Sequence, residues 1–197
     1  MLMKPWHVTS VIRDQRQEAE ILQILKEVKA NCIVFAAGNM SNVNVVGRNA
    51  VKETVQEFVG CPEVTKFLMI SFLPRAERRR LEIMEAKLNA DKYLVAMAKQ
   101  RNDDDQSSFQ AISLRPSLLT NAPRGKIHLG KTRFSGRVPR ADVTAIASSL
   151  LSRSDTSGWS DLVDGNDDIE SGVDNAVQNN LNSIKGEDLE RINREAR

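Results

Sequence analysis

The sequence has little that staples, ligates or anchors a chain. Two of its 197 residues are cysteines, Cys32 and Cys61, far apart and outside any C-x-x-C spacing. Neither a disulfide framework nor a thiolate zinc site is expected. Cys32 lies in the apolar run Cys32-Ile33-Val34-Phe35 and reads as a buried free thiol. The two histidines, His7 and His128, have no clustered ligand partners, so no metal site is expected. No apolar run approaches the roughly 18 residues a membrane span needs. The start, MLMKPW, lacks the apolar stretch of a signal peptide. A cytoplasmic setting without a membrane partner is the expectation. The net charge of +2 is too small to imply nucleic acid by itself. The basic run Arg75, Arg78, Arg79 and Arg80 is interleaved with Glu77, Glu82 and Glu85 and lacks aromatics. It reads as a solvated helix face with local ion pairs, not a nucleic-acid contact. The glycine-rich phosphate loop GxGxxG is also missing.

What remains is ordinary for a globular chain: 41% hydrophobic and 27% charged residues, enough for one well-filled domain. We place that domain at 1–185, followed by a charged tail at 186–197 that is a solvent-facing helix or frayed. Short apolar runs at 7–12, 31–37, 66–72 and 109–114, and a weaker one at 159–163, read as strands. The middle runs are apolar almost throughout, as in parallel strands buried on both faces. Between them, apolar residues recur every three or four positions in 16–29, 46–59, 76–99, 140–151 and 170–184, the spacing of helices with one buried face. RNDDDQSS (101–108), TNAPRGK (120–126) and SRSDTSG (152–158) read as loops. Strands alternating with single helices predict an α/β fold: a Rossmann-like, mostly parallel sheet of about five strands with helices on both faces.

Ligands of such sheets gather at the carboxyl ends of the strands. That rule selects Arg13 and Asp14, Ala37-Gly38-Asn39, Ser71-Phe72 and Arg115-Pro116-Ser117-Leu118. Arg13 suits an adenosine 2′-phosphate through a charge-assisted fork. Gly38, without a Cβ, allows close approach of a ligand. Ser71 suits a substrate carbonyl, or an ordinary turn or cap. Lys87 lies in a helix with no aspartate partner fixed by sequence and reads, without further context, as solvated.

The stretches WHVTSVIRD with QEAEIL, IVFAAG, VTKFLMIS, EAKLNADKYLVAMAK, FQAISLRPSLLT, GKIHLGKTR and GRVPRADVTAIASSLL resemble the atypical short-chain dehydrogenase/reductase group, in its NmrA-like, NAD(P)-binding branch common among fungal proteins. The last four come in family order and spacing. The resemblance implies a Rossmann-type sheet and a nicotinamide cofactor: NADP, since Arg13 closes the second family strand, with NAD as the other possibility. It further implies that Ala37 and Gly38 line the cofactor path, and that Pro116 and Leu118 lie by the nicotinamide. Ser71 and Lys87 then fall at catalytic positions, acting on a small carbonyl or alkene substrate.

Departures from the family pattern are equally specific. Its first strand and glycine-rich turn belong before residue 7, where only MLMKPW stands. In its Tyr-x-x-x-Lys pair, Lys87 keeps the lysine but Ile83 replaces the tyrosine, and isoleucine cannot transfer a proton. Tyr93, six residues past Lys87, falls elsewhere around the helix. The expectation is therefore a reductase-like protein with degraded cofactor and catalytic motifs; the alternative is a non-catalytic truncated paralogue or interaction module on the same scaffold.

Overall fold

A lysine followed by four apolar residues, KFLMI, runs through the middle of the molecule. In a computed structural model, which describes residues 7–9, 18–36, 61–73, 81–105, 108–132, 136–183 and 188–196, the elements follow in chain order. They are α1 (Glu18–Glu27), β1 (Cys32–Phe35), β2 (Lys66–Ile70), α2 (Leu81–Asp105), β3 (Gln110–Pro116), β4 (Leu118–Thr120), β5 (Ile127–Gly130), β6 (Arg137–Pro139), α3 (Arg140–Leu151), β7 (Gly158–Asp164), α4 (Ile169–Gln178) and α5 (Leu189–Ala196).

Five strands form one sheet in the order β1-β2-β3-β7-β5. The first four are parallel, and β5 lies antiparallel to β7. Both faces of β2 and β3 are covered, which is why these central strands carry no polar alternation. Phe67, Met69 and Ala111 pack with Tyr93, Leu94 and Ala98 of α2. Their neighbours Leu68, Ile112 and Leu114 point to the other face and pack with Val143, Ile146 and Leu150 of α3 and Ile169 and Val173 of α4. Burying each such side chain contributes about 1.5–3 kcal/mol before conformational entropy opposes it. Lys66 donates from Nζ to the carbonyls of Leu151 (2.8 Å) and Arg153, placing a cation where α3 ends.

The register brings the carboxyl ends of the strands together. Met69 pairs with Ser113, and Arg115 with Asp161. Past the strand ends, Ser71 N–H donates to the Leu114 carbonyl (2.8 Å) and Ser117 N–H to that of Leu162 (2.9 Å).

Several expectations change. RNDDD is not a loop: α2 continues to Asp105. Buried residues Asp91, Leu94, Ala98 and Arg101 continue one stripe at helical spacing. The guanidinium of Arg101 lies 4.6 Å from the Phe109 ring centre and donates to the carbonyls of Cys61 (3.3 Å) and Pro62 (3.1 Å). It thus ties the end of α2 to the amino ends of β2 and β3. Three short strands, β4, β5 and β6, were not expected; β4 and β6 pair in a small parallel sheet of their own. The fifth strand of the main sheet is β5, since residues 7–9 carry no strand pairing and the rest of 7–12 lies outside the described residues. The helix expected at 46–59 also lies outside them. The charged tail forms α5, opened by an Asp188 cap on the Arg191 N–H (2.9 Å). Rather than facing solvent throughout, α5 packs on α2 and buries Ile192 to 2% exposure.

Candidate active site

Helix α2 begins beyond the carboxyl end of β2, and its first described turns carry the polar side chains of the site. Lys87 Nζ donates to the carbonyl of Ile70 (3.4 Å), the residue before Ser71. One helical turn on, Asp91 is almost fully buried and accepts two hydroxyl hydrogen bonds. One comes from Ser71 Oγ (3.0 Å), just past β2, and one from Ser113 Oγ (2.5 Å), within β3. Lys87 and Ser71, selected from sequence, are therefore neighbours joined through Asp91 and the end of β2.

Burial pushes the Asp91 carboxyl up to about 6, although the Ser113 hydroxyl, the Arg115 guanidinium, the Ser71 hydroxyl and Lys87 all favour its ionised form. Burial also pulls the Lys87 ammonium below the ordinary lysine value, against the attraction of Asp91. Behind this pair stands a second one. Arg115 Nε lies 3.3 Å from Asp161 Oδ1, both side chains being buried, and the guanidinium sits 5.0 Å from the Trp159 ring centre. Asp161 Oδ2 accepts the Thr132 N–H (3.2 Å), and burial raises the Asp161 carboxyl against the pull of Arg115.

Sequence reasoning passed over Asp91 and Ser113. Lys87, expected to have no fixed aspartate partner, has Asp91 four residues later, one turn along the same face. That i, i+4 spacing was the available signal. Ser113 shares its face of β3 with Ala111 and Arg115 by simple alternation.

The remaining candidates separate into two groups. Pro116 ends β3 and Leu118 begins β4, flanking Ser117, whose Oγ donates to the Gly136 carbonyl (2.6 Å) and fixes this corner. Arg13, Ala37 and Gly38, expected to hold the cofactor, lie outside the described residues, as do Asp14 and the basic run from Arg75 to Arg80. Tyr93 lies in the apolar cluster beneath α2. Among the described residues no group of three or more His, Cys, Asp or Glu side chains gathers to hold a metal, and no helix is long and apolar enough to cross a membrane. A cavity of about 70 Å³, bordered by Ile112, Leu150, Thr156 and Asn182, opens at the amino ends of β3 and β7, the opposite end of the sheet from Ser71.

Comparison with known proteins places this geometry in context. A family model described as NAD(P)H-binding matches residues 2–154. Among solved structures, the oxidoreductase ylbE from Lactococcus lactis superposes with a TM-score of 0.72 at 16% identity, over 86% of this chain and 78% of that one. A short-chain dehydrogenase/reductase from Veillonella parvula gives 0.55 at 12% identity, over 77% and 70% of the two chains. The anaerobillin reductase ChuY from Escherichia coli gives 0.55 at 14%, over 78% and 74%. At these identities the likeness is one of fold, Rossmann-like and mostly parallel. No curated protein matches the sequence.

Proposed function

The chain belongs to the NAD(P)H-binding family, and on that premise we propose that it is a reductase of the NmrA-like kind, reducing a small carbonyl or conjugated alkene at the expense of NADPH. The observation that carries this reading is the meeting of Lys87 and Ser71 at the carboxyl end of β2, where open α/β sheets bind their ligands. The fold shared with proteins described as oxidoreductase and reductase supports it.

The donor set suits a nicotinamide nucleotide. An ammonium and a hydroxyl, both held by backbone and carboxylate contacts, match a ribose hydroxyl and an acceptor oxygen. In this reading Lys87 holds the ribose and Ser71 donates to the substrate oxygen. Arg13 takes the 2′-phosphate, Ala37 and Gly38 line the cofactor path, and Pro116 and Leu118 border the nicotinamide ring. A reduced nicotinamide, when bound, supplies hydride. Burial makes the polar groups around Asp91 stronger partners than they would be in water.

Thermal melting of the full chain with NADPH or NADH tests the reading. Cofactor at about 100 times its dissociation constant raises stability by about 2.7 kcal/mol. The expected result is a shift with NADPH that is lost in Arg13→Ala. No shift with either nucleotide in a cooperatively melting protein contradicts the reading.

A further inference from the structure

Adding hydride to a carbonyl carbon requires a proton for its oxygen, and the usual donor position is empty of chemistry. Ile83 stands four residues before Lys87 and has no exchangeable proton. Tyr93, the one tyrosine of the chain, belongs to the apolar cluster with Phe67 and Leu94. We propose that Asp91 is the proton source of this site and that Ser71 carries its proton to the substrate oxygen, an assignment that rests on the reductase reading above.

The geometry supplies the relay. Asp91 is 1% exposed and meets two hydroxyls, one just past the end of β2 and one within its neighbour β3. Ser113 is fully buried, and its register partner is Met69, two residues deeper along β2 than Ser71. Ser71, 6% exposed against 0% for Ser113, is therefore the hydroxyl nearer the carboxyl-end surface of the sheet, and Ser113 the one beneath it. A hydroxyl both donates and accepts. With Asp91 ionised, both serines donate to it. With Asp91 protonated, its O–H donates to Ser71 Oγ, and the Ser71 hydrogen is released to an acceptor in the crevice.

The step balances. The carbonyl carbon takes hydride from a reduced nicotinamide, which is thereby oxidised, and the C=O π pair moves onto oxygen. That oxygen takes the proton of Ser71 Oγ as Ser71 takes the proton of Asp91. The product is an alcohol, and Asp91 is left as a carboxylate, to be reprotonated from solvent. The groups facing that carboxylate are arranged to receive the charge. Ser113 donates to Oδ1 from β3, Lys87 stands one turn earlier on α2, and Arg115 adds a positive charge from β3. Asp161 of β7 is held against Arg115, on the far side from Asp91 in the chain of contacts. A carboxyl raised by burial to about 6 remains partly protonated near neutrality, as a general acid must.

The test uses the full chain with NADPH and phenanthrenequinone as the carbonyl probe, over about pH 5 to pH 8. For the wild type, kcat falls about tenfold per pH unit above roughly pH 6. Asp91→Asn lowers kcat at the acid end about 100-fold and removes that limb, while its NADPH dissociation constant stays within about twofold. Ser71→Ala, which leaves the Asp91–Ser113 contact in place, shows the same loss and guards against a folding defect in Asp91→Asn. A readout independent of turnover is the carbon-13 NMR titration of the Asp91 carboxyl, assigned by its absence in Asp91→Asn, with a midpoint at about 6 in wild type and a higher one in Ser71→Ala, which loses a hydrogen bond to the ionised form. A wild-type limb retained in either variant, or an Asp91 carboxyl titrating in the ordinary aspartate range, overturns the proposal. So does NADPH binding without any reduction of the quinone. Failure of the wild type to bind NADPH overturns the reductase reading as well.

Discussion

Ser71, just past the end of β2, and Ser113, within the neighbouring parallel strand β3, direct their hydroxyls at one carboxylate, that of Asp91, from 3.0 and 2.5 Å. A single helix side chain thus fixes α2 to both β2 and β3, at the end of the sheet where a ligand is expected.

The same contact makes stability depend on pH. The folded Asp91 carboxyl is raised from 3.8 to about 6, so the folded chain holds this proton more tightly than the unfolded one. The resulting stabilisation is fully present below the unfolded value and is lost as pH rises through the folded one, with a ceiling of about 3 kcal/mol. Urea unfolding of wild type and Asp91→Asn at about pH 4 and about pH 7.5 reads it as a difference, cancelling other carboxylates. Wild type should lose stability relative to the variant on going to the higher pH.

Gly158 opens β7 with φ +82, and a Cβ there would fall 1.9 Å from Asn182 Nδ2. Asn182 Oδ1 accepts the Trp159 N–H (2.9 Å), so displacing it breaks the start of the strand. Gly158→Ala should therefore cost about 1–3 kcal/mol, from backbone strain and the lost contact. The urea midpoint measures it.

Ile192 is the buried anchor of α5 on α2. Ile192→Ala should cost roughly 2 kcal/mol, the low end for a buried isoleucine, because a terminal helix can settle into the space. A tail without a structural role would show no change in thermal melting.

The parts of this fold that were legible share long, regular patterns. KFLMI and FQAISL could be read as buried parallel strands because nearly every position is apolar, and α3 because Val143, Ile146, Ala147 and Leu150 recur at helical spacing and are all buried. Strands β4 to β6 span three or four residues each, too few for alternation to register, and sit in turn-rich sequence. The last turn of α2 was hidden because Arg101 and the aspartates after it look solvated. Arg101 instead continues the buried stripe, and Lys99 pairs with Asp103 (2.9 Å) across one turn. In the candidate site, position and resemblance single out Ser71 and Lys87, which the fold brings to the same end of β2. Asp91 does not stand out in the sequence, since a charged helix residue is ordinarily on the surface, and its burial shows only in its partners Ser71 and Ser113.

In the proposed function the nicotinamide nucleotide is held at the carboxyl ends of β2 and β3. Amide NMR spectra of the nitrogen-15-labelled full chain, with and without saturating NADPH, test it directly. Shift changes are expected at Ser71 to Leu73, Lys87 to Asp91 and Ser117 to Leu118. Changes confined to Thr156 to Gly158 and Asn182, at the opposite end of the sheet, or none at all, would contradict it.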